Sequence, residues 1–180
     1  EVNIYVLDSG NHRLQIFDKD GKYFRSIGKR GQGPGEFSQP SCLQLDDETG
    51  NIFVADFRSM TIIIFEKEGK YIDKDIHHAE LLHDFYVDSD GCIWGKFSLP
   101  GIDTYRFIKK LSPGGKVEKT FAEISFHTQR IEISRTSEGN RGTLSAYMVK
   151  SGYEDDLFIS KVDDHTFVYG HSKKYELVAV

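Results

Sequence analysis

Three histidines within seven positions, His77, His78 and His83, come nearest to a chemical motif in this chain. Imidazole nitrogens that converge on one point can hold zinc or a similar ion. His77 and His78 are adjacent, however, and successive side chains of an extended segment point to opposite faces. Two of the three ligands therefore diverge, and no metal ligand is assigned. Asp84 offers one nearby carboxylate. No Ser/His/Asp arrangement or carboxylate pair is readable, so no catalytic residue is assigned either. The expected cofactor is none, with calcium or zinc as the candidates should a metal be found.

Two other stretches suggest ion or phosphate chemistry. Residues 28–40, GKRGQGPGEFSQP, hold glycines at 28, 31, 33 and 35. A phosphate cradle needs a helix N-terminus behind the loop, and SCLQLDD, a strand pattern, follows instead. DDETGN (46–51) and DSDG (88–91) open like calcium loops but lack the twelve-position spacing and the closing Glu. They read as hairpin turns. Polar and basic candidates remain for ligand binding: Asn11, His12, Arg13, Arg30, Arg58 and His171, alongside His77, His78 and His83.

The elements that position these residues are strands. NIYVL (3–7), HRLQIF (12–17) and KYFRSI (22–27) are short runs rich in aromatic and branched residues. The turns DSGN and DKDG separate them, and Asp-Gly is a strong hairpin signal. The pattern returns 48 positions later: Ile52 echoes Ile4, and IFVADFRSMTIIIFEKEGKYIDKDI repeats the apolar and turn positions. A third, looser unit begins with DFYV (84–87), and a fourth with LFISKV (157–162). Four-stranded antiparallel sheets repeating every 41 to 48 residues are the signature of propeller blades. One such sheet has two apolar faces, which only neighbours on both sides can bury.

The 180 residues are 38 % hydrophobic, 13 % aromatic and 28 % charged, a globular composition. The net charge of −5 argues against a nucleic-acid partner, whose phosphates need neutralising. No apolar run approaches the ~20 residues of a membrane span. Cys42 and Cys92 form neither a metal motif nor a disulfide framework.

The first unit resembles the NHL repeat. The residues that carry the resemblance are Asp8, Asn11-His12-Arg13, Phe17-Asp18, Gly21, the Gly-x-Gly-x-Gly-x-Phe connector at 31–37, and Pro40. The second unit keeps Asp56, Phe65 and Gly69, with Arg58-Ser59-Met60 where Asn-His-Arg belongs. The likeness covers roughly two thirds of the chain and implies an all-β, six-bladed propeller. About four blades are visible, near 3–28, 41–77, 82–121 and 157–180, with 122–156 an insertion or a degenerate blade. The first blade lacks an opening strand and the last a closing one, which reads as a piece of a larger ring. The resemblance also implies that the Asn-His-Arg turn ties its own blade together by side-chain to backbone bonds.

Propeller geometry would collect the turns after each second strand, and the connectors after each fourth, on one face. That face is the expected site. The leading reading is a non-enzymatic binding or scaffold module for a protein, peptide or glycan. The sequence looks most similar to bacterial exported proteins with a GQGPGEF-type connector, which implies a periplasmic or extracellular place. The rival is a metal-dependent hydrolase or lyase, like the gluconolactonase or amidating-lyase propellers, with its site in the central channel.

Overall fold

The computed structural model describes residues 3–78, 80–99, 103–137, 140–149, 157–161, 167–171 and 176–179. The first sheet is a meander of β1 (Ile4–Asp8), β2 (Arg13–Phe17) and β3 (Tyr23–Ile27). The second holds four strands in order: β4 (Pro40–Leu45), β5 (Ile52–Asp56), β6 (Thr61–Phe65) and β7 (Tyr71–His77). The third contains β8 (Leu81–Val87), β9 (Ile93–Leu99), β10 (Asp103–Leu111), β11 (Val117–Ser137) and β12 (Asn140–Val149). The fourth is β13 (Leu157–Lys161), β14 (Phe167–His171) and β15 (Glu176–Ala179). Every strand pair is antiparallel.

These four sheets pack face to face in chain order, as the blades of an all-β propeller do. The period-2 pattern explains how. Ile52 and Val54 of β5, with Ile63 and Phe65 of β6, join Leu14, Ile16 and Phe37 in one core between the first two sheets. Their alternate neighbours Phe53, Ala55, Ile62 and Ile64 join Leu82, Phe85, Ile93 and Phe97 in a second core. Sheet pleating sends successive side chains to opposite faces, so β5 and β6 feed two cores and are buried throughout. Trp94 and Ile108 turn the other way and meet Leu157 and Ile159 of the fourth sheet.

The segment after Phe121 extends the third sheet. β11 runs on through TFAEISFHTQRIEIS, and β12 pairs with it from Thr128↔Val149 to Ser137↔Asn140. That stretch alternates without a glycine or proline, so nothing in it stops a strand.

The repeat register is set by two residues with positive φ, His12 (54°) and Met60 (51°), which lie 48 positions apart. Ser59-Met60-Thr61 is therefore the counterpart of Asn11-His12-Arg13. This corrects the alignment on Arg58-Ser59-Met60 by one place. A single left-handed residue closes both turns, and that backbone need outlasts the side-chain identities.

Candidate functional site

The connector from the first sheet to the second is built around Phe37. Its ring is fully buried between the sheets, edge-on to Phe65 with centroids 5.8 Å apart. Gly28 is required beneath it. Gly28 has φ +76°, and a Cβ there would lie 2.1 Å from the Phe37 ring. Ahead of Phe37, the loop coils about Glu36. Its carboxylate accepts the Gly33 N–H at 3.0 Å and pairs with Lys29 at 3.1 Å. The Gly33 bond first, and Lys29 second, hold its pKa below the ordinary carboxylate value. A Cβ at Gly31 would lie 1.8 Å from a Glu36 oxygen. The glycines thus admit Phe37 and Glu36, a geometric role rather than phosphate binding.

Asp56 ends β5 and fastens this connector to the second sheet. It is 1 % exposed. One carboxylate oxygen accepts the backbone N–H groups of Ser38 and Gln39, both at 2.7 Å. The other accepts those of Arg58 and Ser59, at 3.1 and 3.0 Å. Asp8, its counterpart in β1, works differently. It accepts from the side chains of Asn11 (2.9 and 3.0 Å), Arg13 (2.9 Å) and Gln15 (3.2 Å). The Asn11 and Arg13 bonds lower its pKa. Two of the ligand-binding candidates, Asn11 and Arg13, are thus bound to a carboxylate of their own sheet, through side chains rather than backbone. His12 between them is half-buried.

The connector and the turn after β5 enclose an open cleft of about 410 Å³. Gln32, Glu36 and Ser38 line one side; Arg58, Thr61, Asp75 and His77 are among the residues lining the rest. The cleft lies between the connector after β3, the turn after β5 and the end of β7. Arg58 is exposed, and its guanidinium makes no hydrogen bond or ion pair among the described residues. His77 is fixed by Thr61: the hydroxyl donates to the Ser59 carbonyl and lies 3.0 Å from His77 Nδ1. With the hydroxyl proton given to Ser59, His77 Nδ1–H donates to the Thr61 oxygen, which orients the ring. The cleft therefore offers a cationic donor, Arg58, beside an imidazole oriented by Thr61.

The remaining candidates lie elsewhere. Arg30 is exposed in the same connector, bridged through its backbone to Phe37, outside the cleft lining. His78 Nδ1 bonds the Glu80 carbonyl and therefore carries the proton, and its ring stands edge-on to Phe97 at 6.0 Å. His78 Nε2 is buried without a partner, and burial pushes this imidazole's pKa down. His83 on β8 is exposed, with Nε2 2.6 Å from Ser98 Oγ, and its carbonyl accepts the Cys42 thiol at 2.9 Å. Burial, with Asp84 adding to it, keeps that thiol protonated. His171 ends β14 opposite Leu157; its side chain lies outside the described residues. Among the described residues, no three His, Cys, Asp or Glu side chains come together as a metal site. Asp46 and Asp88 of the calcium-like stretches accept N–H groups of their own turns.

The cleft contains two of the nine predicted residues, Arg58 and His77. Thr61, Asp75 and Gln32 were not singled out in the sequence. Thr61 is the 48-residue counterpart of Arg13; no local pattern marks Gln32 or Asp75.

A family model described as "Domain of unknown function (DUF4934)" matches residues 1–177. The Drosophila melanogaster "Protein brain tumor" is 34 % identical over 74 residues, 40 % of this chain and 7 % of that protein. The chain thus spans a small part of that relative. A solved "Putative exported protein" from Bacteroides fragilis aligns with a TM-score of 0.56 at 11 % identity, covering 100 % of this chain and 68 % of that one. A Bacteroides caccae protein of unknown function aligns at 0.46 and 14 % identity, covering 99 % and 72 %. No helix among the described residues is long and apolar enough to cross a membrane.

Proposed function

This chain belongs to the family of the domain of unknown function DUF4934, and we propose that it is a non-enzymatic propeller module that binds a peptide or glycan in the cleft between its first two sheets. One observation carries the reading. Arg58 has an uncommitted guanidinium, and His77 is oriented by Thr61 through Nδ1, on the walls of one cleft. Peptide amides and sugar hydroxyls each present donors and acceptors side by side, which suits that pair. The surrounding Gln32, Ser38 and Asp75 extend the polar lining.

In this reading the ring is six-bladed and NHL-like, since the first unit carries the full set of repeat residues from Asp8 to Pro40. Its place is periplasmic or extracellular, which the likeness to a protein described as exported supports. The remaining face candidates, Asn11, His12, Arg13, Arg30, His78, His83 and His171, form the periphery of the binding face.

Peptide and glycan arrays probed with the purified protein test the reading. The expected result is a hit whose affinity falls roughly tenfold in Arg58→Ala and again in His77→Ala, as losing a hydrogen bond to a charged or fixed partner predicts. Stoichiometric calcium or zinc, lost on replacing His77, His78 and His83 or Asp84, would overturn it in favour of a metal-dependent enzyme.

A further inference from the structure

Arg58 stands on a turn that is pinned from both sides. Its own backbone N–H and that of Ser59 are tied to the Asp56 carboxylate, at 3.1 and 3.0 Å. Met60 closes the turn with φ 51°, and its carbonyl accepts the His78 N–H at 3.0 Å. The turn is thus fastened to the end of β5 and to the residue just past β7. A guanidinium mounted this way needs no backbone ordering to meet a ligand. The partners that match its planar fork are a carboxylate and a phosphate. Two acids in the lining decide between them. Glu36 is balanced already, by Lys29 and the Gly33 N–H. Asp75 lies two positions before His77 on β7, so the pleat sets both on the cleft side. Its charge opposes a phosphate, or a run of acidic residues, more strongly than it opposes one carboxylate.

Resting on the cleft as the binding site, we propose that its ligand is a peptide with a single acidic side chain, which Arg58 grips through both oxygens, and with an aliphatic residue beside it. The rest of the lining favours a peptide over a glycan. Among the described residues that line the cleft none is Phe, Tyr or Trp, so the flat apolar surface on which a sugar ring stacks is missing. Ile63 is the one aliphatic side chain in that lining, and it suits an aliphatic neighbour of the acid. The Gln32 amide and the His77 imidazole, oriented by Thr61, are left for the peptide main chain. Asp75 makes the site selective by exclusion: it turns away ligands whose extra charge Arg58 alone cannot offset.

The probe is a peptide array in which each sequence appears with Asp, Asn, phosphoserine or three successive Asp residues at one position. It is read with the purified protein and with variants whose thermal melts show that they are folded. Hits should carry one Asp or Glu, and Asn in its place should weaken binding about tenfold. Phosphoserine and the acidic run should bind more weakly than the single acid. Arg58→Lys keeps the charge without the fork and should lose about threefold to tenfold. Asp75→Asn should admit the phosphoserine peptides. Hits that need Arg58 but accept Asn equally would overturn the carboxylate and leave the cleft reading standing. Phosphoserine peptides that bind best to the unaltered protein would overturn it in favour of a phosphate. A silent array, or hits indifferent to both Arg58→Lys and Arg58→Ala, would overturn the cleft reading itself and this inference with it.

Discussion

Replacing Asp56 by Ala should be among the most costly single changes in the first half of the chain. The carboxylate takes four backbone N–H groups, two from the connector and two from its own turn. Bonds to a charged acceptor are worth about 1.5–3 kcal/mol each, and a buried donor left unpaired costs about 1–3 kcal/mol. Simple addition would overstate the loss. Arg58 and Ser59 are exposed, so water replaces the acceptor for the turn. The two 2.7 Å bonds to Ser38 and Gln39 dominate, and the net loss comes to about 3–5 kcal/mol. Asp56→Asn is the sharper variant. It keeps the shape and one acceptor but turns an NH2 group toward two N–H donors, for a loss of about 2–3 kcal/mol. Urea unfolding followed by tryptophan fluorescence reads both, with the midpoint shifting and the slope unchanged. A loss under about 1 kcal/mol in Asp56→Ala would refute the argument, because it would mean that the connector is held by Phe37 alone.

Phe37→Ala removes that buried ring and should cost about 3–5 kcal/mol, while Gly28→Ala should destabilise by forcing the same ring out of place; thermal melts of the two variants check both. Burial depresses the His78 pKa below its ordinary 6.5, so between the two values the unfolded chain binds the extra proton. Stability is then full above about pH 6.5 and declines as pH falls through that window. His78→Leu should flatten this slope in urea titrations from pH 5 to 8. Lys109, 8 % exposed, is paired with Glu80 and sits 4.1 Å from the Phe107 ring centroid. Glu80→Gln alone should cost about 3 kcal/mol, and Lys109→Met with Glu80→Gln less than that, since one uncompensated buried charge is worse than none. Chemical denaturation of the single and double variants decides it.

Much of the blade architecture was legible because turns and alternation are local. Asp20-Gly21 and Glu68-Gly69 announce turns within a few residues and form them, and the runs IYVL and IFVA lie in β1 and β5. The candidate face was legible only in outline. Which side chains are free on it depends on pairings across the chain: Arg13 is spent on Asp8, while Arg58, one place outside the aligned turn, is not. No local pattern distinguishes those two arginines. The histidine triplet illustrates the same point. Spacing shows that His77, His78 and His83 are close in sequence, but strand pairing gives each a partner of its own: Thr61, the Glu80 carbonyl and Ser98. The continuation of β11 past Phe121 was hidden by the expectation that the repeat would end there.

The Asp56 clasp has a consequence for how the molecule comes apart. A group rooted in the second sheet holds the segment leaving the first, so the dependence between them runs one way. Melting the first sheet leaves Asp56 and the core shared by the second and third sheets in place. Melting the second releases both of its neighbours at once. The second sheet is therefore the keystone of the described blades, whose loss brings down the arch.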